Sequence, residues 1–92
     1  MQSILFEIKM MRDGTEKDFL EKTFYSVKKY VNAADKKSLE LIISRLDGLY
    51  DGLTAQGKKI ALMFAKEIME EIAKIWKQFL AAITQAILWF KN

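Results

Sequence analysis

No proline occurs anywhere in the chain, and after Gly57 no glycine follows either. Those two residues are the strongest breakers of regular backbone, because one lacks the amide hydrogen and the other maximises unfolded-state freedom. Their absence, in a stretch rich in Ala, Leu, Ile, Lys and Glu, predicts one uninterrupted helix over 55–91. Such a helix is a rod of roughly 55 Å at 1.5 Å per residue, about twice the length of any other helix this chain can form. Whatever fold is adopted must therefore accommodate one element that outreaches its neighbours.

The remaining glycines, at 14, 48 and 52, divide what precedes the rod. Asp13-Gly14 closes a first segment over about 2–12. Thr15 then stands as a candidate N-cap with Asp18 three residues on, a variant of the capping box, and a helix over 16–32 follows with Leu20, Phe24, Val27 and Val31 on one face. Either Asn32 or Asp35 can cap the next helix, over 36–51, whose apolar seam is Leu39, Ile42, Ile43, Leu46, Leu49 and Tyr50. Gly52 followed by Leu53 predicts a left-handed C-cap, and Thr54 a cap for the rod. The first segment reads two ways. Ile4, Phe6, Ile8 and Met10 alternate like a strand, whereas Ile4, Leu5, Ile8 and Met11 share a helical face. Helix is preferred, since a solitary strand would have no partner within the chain. The expected architecture is a single all-α domain over 1–92, a small helical bundle with one long C-terminal helix, completed by oligomerisation.

Composition narrows the function. With 51% hydrophobic residues the 92-residue chain has the material for a core. It contains neither cysteine nor histidine, which removes disulfides, thiolate chemistry, the usual zinc ligands and the commonest general base near neutral pH. No serine, threonine, tyrosine or lysine stands beside a base at a diagnostic spacing, so neither catalysis, a cofactor, a metal nor a small-molecule substrate is expected. The Lys28-Lys29, Lys36-Lys37 and Lys58-Lys59 pairs lack a glycine-rich phosphate loop and read as solvated helix faces. Glu67, Glu70 and Glu71 read as a solvent strip, with Lys66–Glu70 and Glu70–Lys74 as four-residue ion pairs. A net charge of +3, carried mostly by lysine, with Arg12 and Arg45 the only arginines, is too mild for a strong nucleic-acid reader. The start of the chain has no basic run before its apolar residues, which argues against a signal peptide and for a cytoplasmic location.

Surface work remains, and the rod is where it concentrates. Ala61, Ala65, Ile68, Ile72, Ile75, Phe79, Ala82, Ala86 and Trp89 follow three-four spacing, the pattern of a coiled-coil seam. A second line, Leu62, Met69, Ala73, Trp76, Leu80, Ile83, Ile87 and Phe90, widens the apolar arc beyond what one seam covers. The two shorter helices can shield about half the rod. The expected function is therefore a non-enzymatic protein–protein interaction module, an adaptor, regulator or inhibitor. Its expected form is a homodimer pairing through Ile68, Ile72, Ile75, Phe79 and Ala82, with Trp76, Ile83, Ala86, Trp89 and Phe90 completing the interface and Trp76, Phe79 and Trp89 as anchors. The alternative is association with a membrane surface, because only cations, Lys74, Lys77 and Lys91, follow Glu71. In size, basic charge and lack of cysteine the chain is similar in class to bacteriocin immunity proteins, with no motif in common, and that similarity also implies a membrane-surface role. Weak nucleic-acid binding is a second alternative.

Overall fold

A computed structural model describes residues 1–91, with side chains through Trp89. Four helices follow in order: α1 (Gln2–Lys9), α2 (Thr15–Asn32), α3 (Lys36–Leu49) and, after a 3-10 turn at Tyr50–Gly52, α4 (Ala55–Lys91). No strand occurs among the described residues, so the ambiguous first segment is a helix. Its helical face decides the matter: Ile4, Ile8 and Met11, at spacings of four and three, are all buried, whereas Phe6 and Met10 of the strand reading face water. α1 stops earlier than expected, at Lys9, whose ammonium meets Glu21 of α2 at 2.9 Å.

Two helix ends differ from expectation. Thr15 is the first residue inside α2 rather than its cap; Gly14 occupies the cap position and no side chain caps this end. Glu16 and Asp18 in the first turn instead complement the positive end of the helix dipole. The left-handed residue is not Gly52, since Gly14 is the only glycine with positive φ, but Ala34, at φ 52°. Asp35 N–H donates to the Tyr30 carbonyl at 2.9 Å and Ala34 N–H to Val31 at 3.1 Å, the two bonds of a Schellman ending. At Gly52 α3 instead tightens into the 3-10 turn, closed by Leu53 N–H donating to Tyr50 at 3.1 Å.

The expected caps at the other ends are present. Asp35 accepts from Ser38 N–H at 3.1 Å and from the Ser38 hydroxyl at 2.8 Å, which together hold its carboxyl below the ordinary value of 3.8. The Thr54 hydroxyl accepts from Gly57 N–H at 3.1 Å and donates to the Glu16 carboxylate, which also accepts from Thr54 N–H at 2.9 Å. One carboxylate thus ties the start of α2 to the start of α4. Gly57 is buried, and a β-carbon there would lie 2.6 Å from Glu16 Oε2, so this glycine serves a close approach.

The core gathers one face from each helix. Ile8, Leu20, Val27, Leu39, Ile60, Phe64 and Ile68 are completely buried, with Ile4, Phe24, Leu46 and Ile72 nearly so. α3 runs antiparallel beside α4: Lys36 lies over the Trp76 ring at 4.9 Å, and Tyr50 lies under Lys58 at 5.5 Å. A helix of 14 residues therefore covers α4 only as far as Trp76. The last core residue is Ile72, and the last partly buried apolar residue packed against the core is Ile75. The remainder of α4 projects. The chain measures 60 × 23 × 15 Å with a radius of gyration of 16.4 Å, against about 12 Å for a compact chain of this length.

Candidate functional site

The projecting half of α4 is helical by local preference alone. Every described side chain from Trp76 to Trp89 is exposed. Trp76 is 45% exposed, Phe79 53%, Leu80 55%, Ile83 40%, Ile87 52%, Leu88 52% and Trp89 76%. Side chains of this size ordinarily lie inside, and a contiguous apolar patch of this kind marks a binding surface. Trp76 and Phe79 meet edge to face, with ring centroids 5.7 Å apart, and the Lys36 ammonium sits on the Trp76 ring while also pairing with Glu40 at 2.8 Å. Trp76 is thereby fixed at the point where bundle gives way to overhang.

The sequence-derived interface splits between core and surface. Ile68 and Ile72 are 0% and 8% exposed. They belong to the chain's own core, packed among α1, α2 and α3, and correct the expected seam: its first half is already occupied. Ile75 is half-buried at the border, while Trp76, Phe79, Ala82, Ile83, Ala86 and Trp89 are exposed. The Phe90 side chain lies outside the described residues. The second apolar line behaves differently from the first. Leu62 and Met69, 59% and 58% exposed, continue it onto the half of α4 that α3 flanks. Beside them Ile43, Leu46, Tyr50, Ala61, Leu62 and Ala65, with Asp47, line a largely apolar cleft of about 330 Å³ between α3 and α4. That cleft was not expected from the sequence. Ile43 and Tyr50 stood in the α3 seam, but which of them would be left half-open depends on where α3 lies on α4.

Among the described residues no cluster of acids could hold a metal ion, and no buried side-chain polar atom lacks a partner. The ion pairs expected of Glu70 with Lys66 and Lys74 are not formed among the described residues; Glu71 instead meets Lys74 at 3.2 Å and Glu67 approaches the N-terminal ammonium at 4.0 Å. Of the lysine pairs, Lys29 lies over the Tyr30 ring, Lys36 pairs with Glu40, and Lys59 pairs with Glu7 at 3.2 Å. A second cleft, of about 270 Å³ between α2 and α3, is lined by Phe19, Thr23, Tyr30, Ile42 and Arg45 among others. Among the described residues no helix is long and apolar enough to cross a membrane. Comparison with protein-family models, curated proteins and solved structures finds no match to this chain.

Proposed function

We propose that the protein is a non-enzymatic protein–protein interaction module, of the adaptor, regulator or inhibitor kind, that works by docking the overhanging half of α4, with a homodimer as its assembled form. The observation carrying this reading is the run of exposed apolar side chains from Trp76 to Ile87, which starts at the edge of α3 and continues past the end of the bundle. Large aromatics supply most of the affinity at such surfaces, and here Trp76 and Phe79 stand already packed against each other. On this reading the first half of the rod holds the bundle together and the second half docks a partner.

The test is mass in solution by light scattering over a wide concentration range, for the native chain and for Ile83→Asp. Ile83 touches no core residue, so the substitution leaves the bundle folded while placing a charge in the middle of the docking face. The native mass is expected to rise with concentration and the variant to stay monomeric with an unchanged circular dichroism spectrum in the bundle region. A native chain that remains monomeric throughout, and co-sediments with anionic vesicles instead, would move the function to a membrane surface.

A further inference from the structure

The exposed outer line of α4 is self-complementary when run backwards. Leu62 and Ile87, Met69 and Leu80, and Ala73 and Trp76 are pairs that share one midpoint, between residues 74 and 75, and Ala65 with Ile83 shares it to within half a residue. We infer that the occupant of this surface is a second copy of the same chain, laid antiparallel about a two-fold axis near residues 74–75, so that each overhang lies along the bundled half of the other copy's α4. This rests on the reading of the overhang as a docking element and supplies its partner and register.

Three observations favour that arrangement. The first is size matching. Trp76 falls opposite Ala73 and Ile83 opposite Ala65, large against small, whereas a parallel in-register pair would set Trp76 on Trp76 and leave the alanines facing alanines. The second is charge. Glu70 and Lys77 are both exposed, neither has an ion pair among the described residues, and they lie on the same flank of the outer line. Antiparallel pairing brings Lys77 of each copy within two residues, about 3 Å along the rod, of the level of the other copy's Glu70, twice over. Parallel pairing puts Lys77 beside no acid of the other copy, because no acid follows Glu71.

The third observation is area. From the exposures of Leu62, Met69, Trp76, Leu80, Ile83 and Ile87, and taking roughly 200 Å² for a tryptophan and roughly 100 Å² for an aliphatic side chain, the line offers about 350 Å² of apolar surface per copy. Two copies bury about 700 Å² of it, which at the roughly 65% apolar share of homodimer interfaces corresponds to about 1,100 Å² in all. That reaches the threshold of about 1,000 Å² for a specific interface, in the range of a concentration-dependent dimer. The same register carries the Phe79 and Ala86 side of each overhang to the partner's α3, over the cleft between Ile43 and Tyr50. Both apolar lines of the overhang are then covered, one by the partner's α4 and the other by its α3.

The chain has no cysteine, so single-cysteine variants report without background. Leu62 and Ile87 are 59% and 52% exposed, and replacing either leaves the core intact. Mixed under oxidising conditions, the Leu62→Cys and Ile87→Cys variants are expected to form a mixed disulfide dimer, while each variant alone forms none above the level of the cysteine-free parent. A spin label at Ile87→Cys is expected to find its symmetry mate roughly 37 Å away along the rods, against about 10 Å for parallel tails. Lys77→Glu is expected to weaken association at least tenfold, and Glu70→Lys in the same chain to restore it. A disulfide between two copies of the Ile87→Cys variant, a short label separation, or no rescue by the double reversal would overturn the register and leave docking standing. A native chain monomeric up to millimolar concentration would overturn both.

Discussion

Ending the chain after Lys77 separates the two halves of the rod experimentally. Every core residue lies at or before Ile72, and the last apolar side chain packed on the core is Ile75. The removed residues contribute no buried side chain among those described, so the stability of the isolated monomer is expected to change by no more than about 0.5 kcal/mol, as for surface positions generally. The contrary arrangement, in which the overhang folds back onto its own bundle, would bury Phe79, Ile83 and Ile87 at roughly 1.5–3 kcal/mol each. Removing them would then cost at least about 5 kcal/mol, which is all or most of the stability of a small domain. The two expectations differ by an order of magnitude.

Urea denaturation at low micromolar protein, followed through the retained Trp76, measures the quantity directly. The slope of stability against denaturant scales with the surface exposed on unfolding, so it too is expected to be nearly unchanged by the truncation. At higher protein concentration the full chain gains about 1.4 kcal/mol per dimer for each tenfold rise, once association is complete, and the truncated chain gains nothing. A truncated chain that is unfolded, or several kcal/mol weaker at a dilution where the full chain is monomeric, would refute the division of α4 into a structural half and a docking half. So would a truncated chain that associates as the native one does.

Three further expectations concern the bundle. Ala34 adopts φ 52°, a conformation costing a non-glycine residue roughly 1–2 kcal/mol, so Ala34→Gly is expected to raise stability by about 0.5–1 kcal/mol after the added freedom of the unfolded chain is discounted, read as a higher midpoint in urea. Gly57→Ala would ordinarily stabilise a helix interior by about 1 kcal/mol, but the new β-carbon displaces the Glu16 carboxylate from Thr54. It is expected to destabilise the native chain and to stabilise a Glu16→Ala background, and the same sign in both would discard the proposed close approach. The hydrogen bonds from Ser38 lower the Asp35 pKa in the folded state, so their stabilisation is complete above the ordinary value of 3.8 and is lost as pH falls through the lower folded value. The stability difference between the native chain and Asp35→Asn should therefore shrink on acidification below about pH 4, and a difference independent of pH down to 2 would contradict it.

α2, α3 and α4 were legible because each is patterned by a local period, whereas the first segment carried a strand pattern as well as a helical one. Asp35 and Thr54 sit where their hydrogen bonds place them, and Leu20, Phe24 and Val27 turn inward as their spacing requires. What was not legible depends on contacts remote in the chain or on residues that carry no signature. Glu16 reaches Thr54 across 38 positions, so nothing near Gly57 announces why that residue is glycine. Alanine at 34 takes a left-handed turn because the packing of α2 against α3 demands a reversal there, at a cost that alanine's own preferences do not reveal.

The misplacement of Ile68 and Ile72 has a different origin, and it explains why the candidate surface lies on the second line instead of the first. A period states which residues share a face; it does not state which neighbour covers that face. α3 has 14 residues and α4 has 37, so at the same rise per residue an antiparallel α3 starting from the Tyr50 turn can shield α4 only to about Trp76. The inner line is consumed by the bundle up to that point and released beyond it. The outer line is never consumed, because α3 flanks it and no helix covers it. A surface that runs past the end of the bundle without interruption is what the proposed second copy, a rod of the same length, would match along its whole extent.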